Sequence, residues 1–202
     1  FKKKEIGIIL AFILLYRFGE AQLVKIASPF LMDSKALGGL GLRVEDVGTV
    51  YGTIGVIALL IGGLLGGWAI SNGGLKKWLW PMLTAMNLPN IVYVIMAIYQ
   101  PQNIFFISSF VAIEQLGYGF GFTAFTLYLI YVSQGEFKTS HYAICTGLMA
   151  LGMMIPGMFA GYIQEKFGYL NFFIWVCICT IPAFIIAKFI KIDSSFGKKQ
   201  NE

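Results

Sequence analysis

The sequence is poor in charge. Only 12% of the 202 residues are charged, whereas 57% are apolar, and soluble domains carry about 25% charged residues. Lysine and arginine outnumber the acids and leave a net charge of +5, but they do not build the soluble basic face that nucleic-acid binding requires. We therefore expect no nucleic-acid partner.

Cysteine and histidine are also scarce. The three cysteines, Cys145, Cys177 and Cys179, fall in apolar runs, and the last two point to different faces of a helix because they are two residues apart. The one histidine, His141, lies at a predicted helix start, where a solvated side chain is the simpler interpretation and a proton relay the alternative. The sequence has no metal cluster, nucleophile–base pair or phosphate-binding loop, so it indicates no metal, no cofactor and no enzyme.

Long apolar runs dominate what is present. A helix needs about 20 residues to cross a bilayer, and six successive runs reach that length, joined by short polar links. We therefore predict an all-α membrane protein with six transmembrane helices in one bundle over 1–202, ending in a cytoplasmic tail over about 192–202. The predicted spans are 6–32, 47–71, 78–99, 104–133, 141–163 and 170–191.

The lysines and arginines of the loops set the predicted orientation. If successive loops alternate between the two sides of a membrane, one side receives Lys35, Arg43 and Lys166. Cytoplasmic loops carry the excess of positive charge, so both termini are predicted to be cytoplasmic. The larger set, on the cytoplasmic side, is Lys2, Lys3, Lys4, Lys76, Lys77, Lys138, Lys188, Lys191, Lys198 and Lys199.

Several residues recur at a fixed offset of 94 positions. The matched pairs are Glu20 with Glu114, Gly63 with Gly157, Gly67 with Gly161, and Gly74 with Gly168. Each copy would hold three helices, an odd number, so the second copy enters the membrane from the opposite side. Inverted repeats with a site near the midplane are typical of secondary transporters. The predicted copies cover about 5–99 and 100–193.

Glycines line faces of three predicted helices, the second, the fourth and the fifth. Small residues on a helix face let two backbones approach closely, so we predict tight packing of these helices. The glycines concerned are Gly48, Gly52, Gly55, Gly62, Gly63, Gly66 and Gly67, then Gly117, Gly119 and Gly121, and then Gly147, Gly152, Gly157 and Gly161.

Charge inside the spans is confined to two predicted helices. The first span holds Arg17, Glu20 and Lys25, and the fourth holds Glu114. Each charge at the centre of a membrane helix costs about 2.5–3.5 kcal/mol on insertion scales, so each is expected to have a partner or a function. At a rise of about 1.5 Å per residue, Arg17 and both glutamates lie near mid-membrane, whereas Lys25 lies nearer the outer interface.

Two interpretations of these charges are open. In one, Arg17 forms a structural ion pair with Glu20 or Glu114. In the other, Arg17 and Lys25 attract an anionic substrate while one glutamate carries a proton. Because Glu20 lies one helical turn from Arg17, we predict Glu20 as its fixed partner and Glu114 as the titrating group. Further polar candidates for the same cavity are Gln22, Asn87, Asn90, Gln115 and Tyr118.

One loop resembles a motif of the major facilitator superfamily, G-x3-D-[RK]-x-G-x-[RK]-[RK]. The sequence reads G-x3-S-N-x-G-L-K-K over 67–77, with Ser71 in place of the acid. The partner loop keeps both glycines, the acid and the base. The residues that carry the resemblance are Gly67, Gly74, Lys76, Lys77, Gly161, Glu165, Lys166 and Gly168. It implies half of a major facilitator fold, in which the first and fourth helices line the cavity.

A narrower resemblance is to AmpG-type muropeptide permeases. It rests on Pro29-Phe30-Leu31, on Gly41-Leu42-x2-Glu45-Asp46-Val47-Gly48 and on Glu114-x2-Gly117-x-Gly119-x-Gly121. It implies a proton-coupled symporter of the bacterial inner membrane that takes up an anionic muropeptide, with lipid, substrate and protons as partners. Phe1 in place of a starting methionine fits the C-terminal half of such a transporter, which would pair with an N-terminal six-helix half.

Two alternatives stand beside this interpretation. The first is a carrier of another organic anion, either acetyl-CoA-like or a sugar phosphate. The second is a non-transporting six-helix membrane scaffold, which would tolerate the loss of Arg17.

Overall fold

The computed structural model describes residues 5–199, so Lys2, Lys3, Lys4 and the end of the predicted tail (200–202) lie outside the described residues. Over residues 5–199 the backbone is helical, with no strand. The α-helices are α1 (Ile6–Leu15), α2 (Phe18–Met32), α3 (Val44–Val47), α4 (Val56–Gly73), α5 (Leu75–Asn87), α6 (Ile91–Tyr99), α7 (Ile104–Ser133), α8 (Lys138–Cys179) and α9 (Ile181–Ala187). A π-helix (Gly48–Gly55) joins α3 to α4, and short 3-10 turns cover Lys35–Leu37 and Leu88–Asn90.

Five stretches of helix are long and apolar enough to cross a membrane, which confirms the all-α class and fits a membrane protein. The stretches are Ile6–Met32, Val44–Gly73, Leu75–Tyr99, Ile104–Ser133 and Lys138–Ala187. The first four coincide with predicted spans to within a few residues. The fifth covers the predicted span 141–163 and most of the predicted span 170–191, and it is interrupted at Gly168 by a non-helical backbone.

Gly74 and Gly168 adopt nearly the same backbone conformation. Gly74 has φ 82° and ψ 155° between α4 and α5, and Gly168 has φ 74° and ψ 167° within α8. This region of backbone space is open almost only to glycine. Both positions belong to the 94-residue offset that the sequence displays.

The first long stretch is broken deep inside the bundle. Tyr16 and Arg17 separate α1 from α2, and Arg17 has φ −111° and ψ 20°, outside helical values. A second break lies at the turn Leu88–Asn90, between α5 and α6. Pro89 in that turn has no backbone N–H to donate to a helix.

The glycines of α4 and α7 bring helices into direct backbone contact, as predicted. A Cβ atom on Gly62 would lie 2.1 Å from the carbonyl oxygen of Leu116, and one on Gly117 would lie 2.0 Å from that of Ala85. Helix α7 therefore holds α4 on one side and α5 on another at distances that a side chain would forbid. Gly67 and Gly161 face open space instead.

The apolar core forms two clusters. The first includes Phe12, Tyr16 and Phe125, and the second includes Phe30 and Phe173. Along the first stretch, the two clusters flank the positions of Arg17 and Glu20, and along α7 they flank 114–121. The charged residues therefore occupy a layer between two apolar clusters.

The last described residues pack across the ends of several helices. We call 192–199 the C-terminal strap. The amide of Leu75 donates to the carbonyl of Phe196 at 2.9 Å, and the amide of Lys199 donates to the carbonyl of Ser71 at 2.8 Å. The Phe196 ring lies 4.9 Å from the ring of Tyr131, centroid to centroid. The strap therefore ties the loop between α4 and α5 to the end of α7.

Candidate functional site

Arg17 lies at the break between α1 and α2 and reaches across to α7. Its side chain is almost fully buried, and one terminal nitrogen, Nη2, donates a hydrogen bond to the hydroxyl of Tyr118. The guanidinium carbon lies 5.2 Å from the centre of the Tyr118 ring and 4.9 Å from that of Phe122, within the range of cation–π attraction. The Nε atom of Arg17 is buried and has no hydrogen-bond partner among residues 5–199.

The predicted ion pair between Arg17 and a glutamate is wrong. Among residues 5–199, no salt bridge joins Arg17 to Glu20 or to Glu114. Residues three apart share a face only in a continuous helix, and the non-helical backbone at Arg17 interrupts that register. The two rings on α7 contact the guanidinium instead.

Glu114 lies in α7 within a network of aromatic hydroxyls. Its Oε2 atom accepts a hydrogen bond from Tyr93 at 3.4 Å and one from the Gln115 amide at 3.0 Å. The same Gln115 nitrogen lies 3.0 Å from the Tyr51 hydroxyl. The second oxygen, Oε1, is buried without a partner. Tyr93 of α6 and Gln115 of α7 therefore hold one oxygen of Glu114, and Tyr51 of the π-helix contacts the same Gln115 amide.

Glu20 lies in the first turn of α2 and is 2% exposed. Its Oε2 atom has no hydrogen-bond partner. The carboxyl group lies near enough to Arg17 and to Glu114 to interact with the charge of each. Arg17, Glu20, Glu114, Gln115 and Tyr118 thus meet in one buried cluster, which we call the polar layer.

Two other predicted polar residues face α8. The exposed Lys25 lies beside Gly157, where a Cβ atom would be 3.3 Å from the Lys25 Cε. The side-chain oxygen of Gln22 accepts a hydrogen bond from the Trp175 indole at 2.8 Å. Lys25 and Gln22 therefore line the α2–α8 contact, and Gln22 has its partner there.

Sequence reasoning missed Tyr51, Tyr93 and Phe122. Tyrosine and phenylalanine in an apolar run look like core residues, and nothing in their spacing indicates a contact with a charge on another helix. Asn90, a predicted candidate, is fully buried with both polar side-chain atoms unpartnered. It lies one helical turn before Tyr93. Asn87 donates to the backbone carbonyl of Leu83.

His141 lies near the start of a helix, as predicted, but its side chain is not solvated as the sequence suggested. It lies in the first turn of α8, is half-buried, and its Nδ1 atom is buried without a partner. It lines an apolar cavity of about 280 Å³ together with Ile13 and Cys145. That cavity is separate from the polar layer.

The loop motif lies away from the polar layer. Lys76 and Lys77 are exposed at the start of α5, and Glu165 and Lys166 are exposed in α8. The amide and hydroxyl of Ser195 bind the Asp193 carboxylate and lower its pKa, and the charge of Lys76 lowers it further. The acid absent at Ser71 therefore has a counterpart near the motif, supplied by the C-terminal strap.

Curated relatives of this chain carry transporter names. A protein named transporter AmpG 1 in Rickettsia bellii is 28% identical over 185 residues, which cover 91% of this chain and 43% of that protein. Its namesake in Rickettsia felis is 27% identical over 184 residues, or 91% and 40% of the two chains. The anhydromuropeptide permease of Escherichia coli is 26% identical over 186 residues, or 92% and 37%. The resemblance to AmpG-type permeases is confirmed.

This similarity covers most of the chain but only part of each relative. The chain spans about two-fifths of the length of the AmpG-type proteins that it matches. No protein-family model matches the chain. Together with the long apolar helices, the relatives' names indicate a multi-pass membrane protein similar to AmpG-type transporters.

Proposed function

We propose that this chain is the C-terminal six-helix half of a major facilitator transporter that takes up an anionic solute, such as a muropeptide, together with protons. The observation that carries the proposal is the polar layer, which holds one arginine and two glutamates inside a chain similar to AmpG-type permeases. Buried charges inside membrane helices are rare and mark substrate or ion pathways. The permease would lie in the bacterial inner membrane with both termini in the cytoplasm, as the distribution of lysine and arginine suggests.

An arrangement of six helices in two inverted repeats would explain why glycines with the same backbone conformation recur at two helix boundaries. Gly168 divides the last helical stretch into 138–167 and 169–187, which would be the fifth and sixth spans. The matching conformations of Gly74 and Gly168 support a common origin of the second–third and fifth–sixth helix pairs. Inverted repeats place a transport site near the middle of the membrane, where the polar layer would lie.

Arg17 is the proposed binding group for the anionic substrate. Arginine binds carboxylate and phosphate through parallel N–H donors, and the buried Nε atom of Arg17 lacks an acceptor. With no carboxylate of residues 5–199 paired to it, the guanidinium is available for a charged ligand. The exposed Lys25 would attract the same anion from outside the layer.

Glu114 is the proposed proton carrier, with Glu20 as its neighbour. Two carboxylates close together in a poorly solvated site are unfavourable when both are ionised. Binding one proton relieves that repulsion. An anion that binds Arg17 would in turn change the proton affinity of the two carboxylates. Tyr93 and Gln115 would orient the Glu114 carboxylate for this exchange, because both donate to its Oε2 atom.

Uptake of a labelled muropeptide by the full-length transporter in proteoliposomes tests this proposal. Arg17→Ala should abolish uptake, whereas Arg43→Ala, at an exposed arginine paired with Asp46 in a loop, should leave it unchanged. Normal uptake by a folded Arg17→Ala protein would reject Arg17 as the anion site. If the wild-type protein takes up no organic anion at all, a membrane scaffold becomes the better interpretation.

A further inference from the structure

A groove runs along the contact between α4 and α7, beside the polar layer. It lies between residues 59–64 and 118–123 and has a volume of about 370 Å³. Its α4 wall carries leucine side chains, with Leu60 and Leu64 largely exposed. Its α7 wall carries the rings of Tyr118 and Phe122. We call this feature the α4–α7 groove.

The floor of the groove is backbone and offers few polar groups to a ligand. Gly63 and Gly119 contribute no side chains. The Thr123 hydroxyl lies 3.2 Å from the carbonyl oxygen of Gly63 and 3.1 Å from that of Gly119, so its one hydrogen is already used. The groove therefore suits an apolar or ring-shaped group rather than a charge.

A positive charge nevertheless contacts the aromatic wall. The two rings that line the groove are the same two rings that Arg17 contacts, at 5.2 Å and 4.9 Å from its guanidinium carbon. These rings stack on each other, with centroids 5.9 Å apart and planes 16° apart. The same two rings thus contact both an apolar groove and a guanidinium whose Nε atom lacks an acceptor among the described residues.

We propose that the α4–α7 groove is a subsite for the ring face of an anionic ligand whose carboxylate binds Arg17. This inference rests on the proposed role of Arg17. Ligand sites are mostly apolar and aromatic with a few placed polar groups, and this groove with Arg17 has that composition. The complementary ligand carries a sugar ring, whose C–H face is apolar, within one ring's width of its carboxylate. A lipid chain or a neighbouring helix would fill the groove without needing the arginine.

Gly63 allows the groove to be filled without disturbing the helix contact. A Cβ atom there would lie 4.0 Å from its nearest neighbours, whereas one on Gly119 would lie 2.1 Å from the carbonyl oxygen of Leu59. Gly63→Leu therefore occupies the groove. A matched control is Ala112→Leu, which fills a neighbouring groove of about 430 Å³ between the same helices, where none of the lining residues is charged.

The test is uptake of a labelled muropeptide by the full-length transporter, with three unlabelled competitors. N-acetylmuramic acid carries ring and carboxylate, N-acetylglucosamine the ring alone, and lactate the carboxylate alone. In the wild-type protein, N-acetylmuramic acid should compete at least tenfold better than either fragment. Gly63→Leu should raise KM for the muropeptide at least tenfold with kcat unchanged, and Phe122→Leu should raise it severalfold, whereas Ala112→Leu should change neither constant.

The outcomes distinguish a failure of the groove proposal from a failure of the proposed function. Loss of uptake in Arg17→Ala together with an unchanged KM in Gly63→Leu would show that the groove is not a ligand subsite. That result would leave Arg17 as the anion site. If Arg17→Ala transports normally, both ideas fail. If Gly63→Leu does not fold, Phe122→Leu tests the groove proposal instead. An unchanged KM in Phe122→Leu would show that the groove is not a ligand subsite. A fall in thermal stability of both groove variants without any change in KM would mean that a helix or lipid fills it.

Discussion

The guanidinium of Arg17 binds the hydroxyl of Tyr118 and lies over its ring. This contact joins the break between α1 and α2 to the middle of α7, so the two charge-bearing helices of the sequence meet through an arginine and an aromatic ring. Both glutamates stay outside an ion pair with that arginine. The contact fixes Arg17 in place and leaves its Nε atom without an acceptor among the described residues.

Changing the shape of the cation should weaken binding without removing the charge. Arg17→Lys keeps the positive charge but loses the planar group that lies over Tyr118 and Phe122 and binds carboxylate through two parallel donors. We expect KM for the anion to rise about tenfold or more, since hydrogen bonds to charged groups contribute about 1.5–3 kcal/mol. Initial uptake rates over a substrate range measure this, and an Arg17→Lys protein with wild-type KM would contradict the geometry.

The shared backbone conformation of Gly74 and Gly168 predicts a loss of stability at both positions. Replacing either glycine with alanine places a side chain in a backbone conformation that costs on the order of 1–3 kcal/mol. The free energy of unfolding in mild denaturant should fall in both variants, and further in Gly74→Ala, because a Cβ atom there would also lie 3.1 Å from the Ser194 carbonyl oxygen whereas one on Gly168 meets open space. A Gly7→Ala control, at a glycine with open space around it, should fall within about 0.5 kcal/mol of wild type. A loss in only one of the two variants would separate their structural roles.

Close approach of α5 to α7 should make Gly117 intolerant of a side chain. The added Cβ atom would lie 2.0 Å from the carbonyl oxygen of Ala85, so the helices must separate, at a cost of about 1–3 kcal/mol. Gly147→Ala, in α8 with open space around it, provides the control. Thermal unfolding of the purified protein compares the two, and equal stability would show that the helices pack less closely here.

The C-terminal strap should loosen in acid. The Ser195 amide and hydroxyl and the Lys76 charge hold the pKa of Asp193 below its usual range, which is about 3.9. The stabilisation is therefore complete above the usual pKa and is lost as pH falls through the lowered value. Hydrogen exchange of the strap amides, corrected for intrinsic rates, should accelerate below about pH 4. In Asp193→Asn, the strap amides should exchange fast at every pH. If their exchange rates in the wild-type protein do not change with acid, the contact between Asp193 and Ser195 is contradicted.

The fold was predictable where composition and small residues decide it. Low charge and long apolar runs predicted the spans, and the glycines of α4 and α7 predicted which helices pack closely. The break at Arg17 was not predictable, because positions 16–17 hold neither proline nor glycine. The contact between Arg17 and Tyr118 also joins positions 101 residues apart, beyond the reach of helical periodicity.

The candidate site, too, was predictable from the sequence only in part. The energetic cost of placing a charge inside a membrane helix identified Arg17, Glu20 and Glu114 as unusual. The structure brings all three into one layer. Their partners were missed because a tyrosine hydroxyl that donates to Glu114 looks, in sequence, like any core aromatic residue. Lys25 shares the first long apolar stretch with Arg17, yet it packs beside Gly157, because α2 contacts α8 on that side.

Proton-driven accumulation by a Glu114→Gln transporter tests the central claim most directly. Proteoliposomes containing the full-length protein are loaded at neutral pH, diluted into acidic buffer, and given a labelled muropeptide. Wild type should accumulate the substrate above its external concentration. Glu114→Gln should still exchange internal for external substrate but should accumulate none, because Arg17 remains and the proton carrier is gone. Wild-type accumulation by the Glu114→Gln protein would contradict the assignment of the proton to this layer.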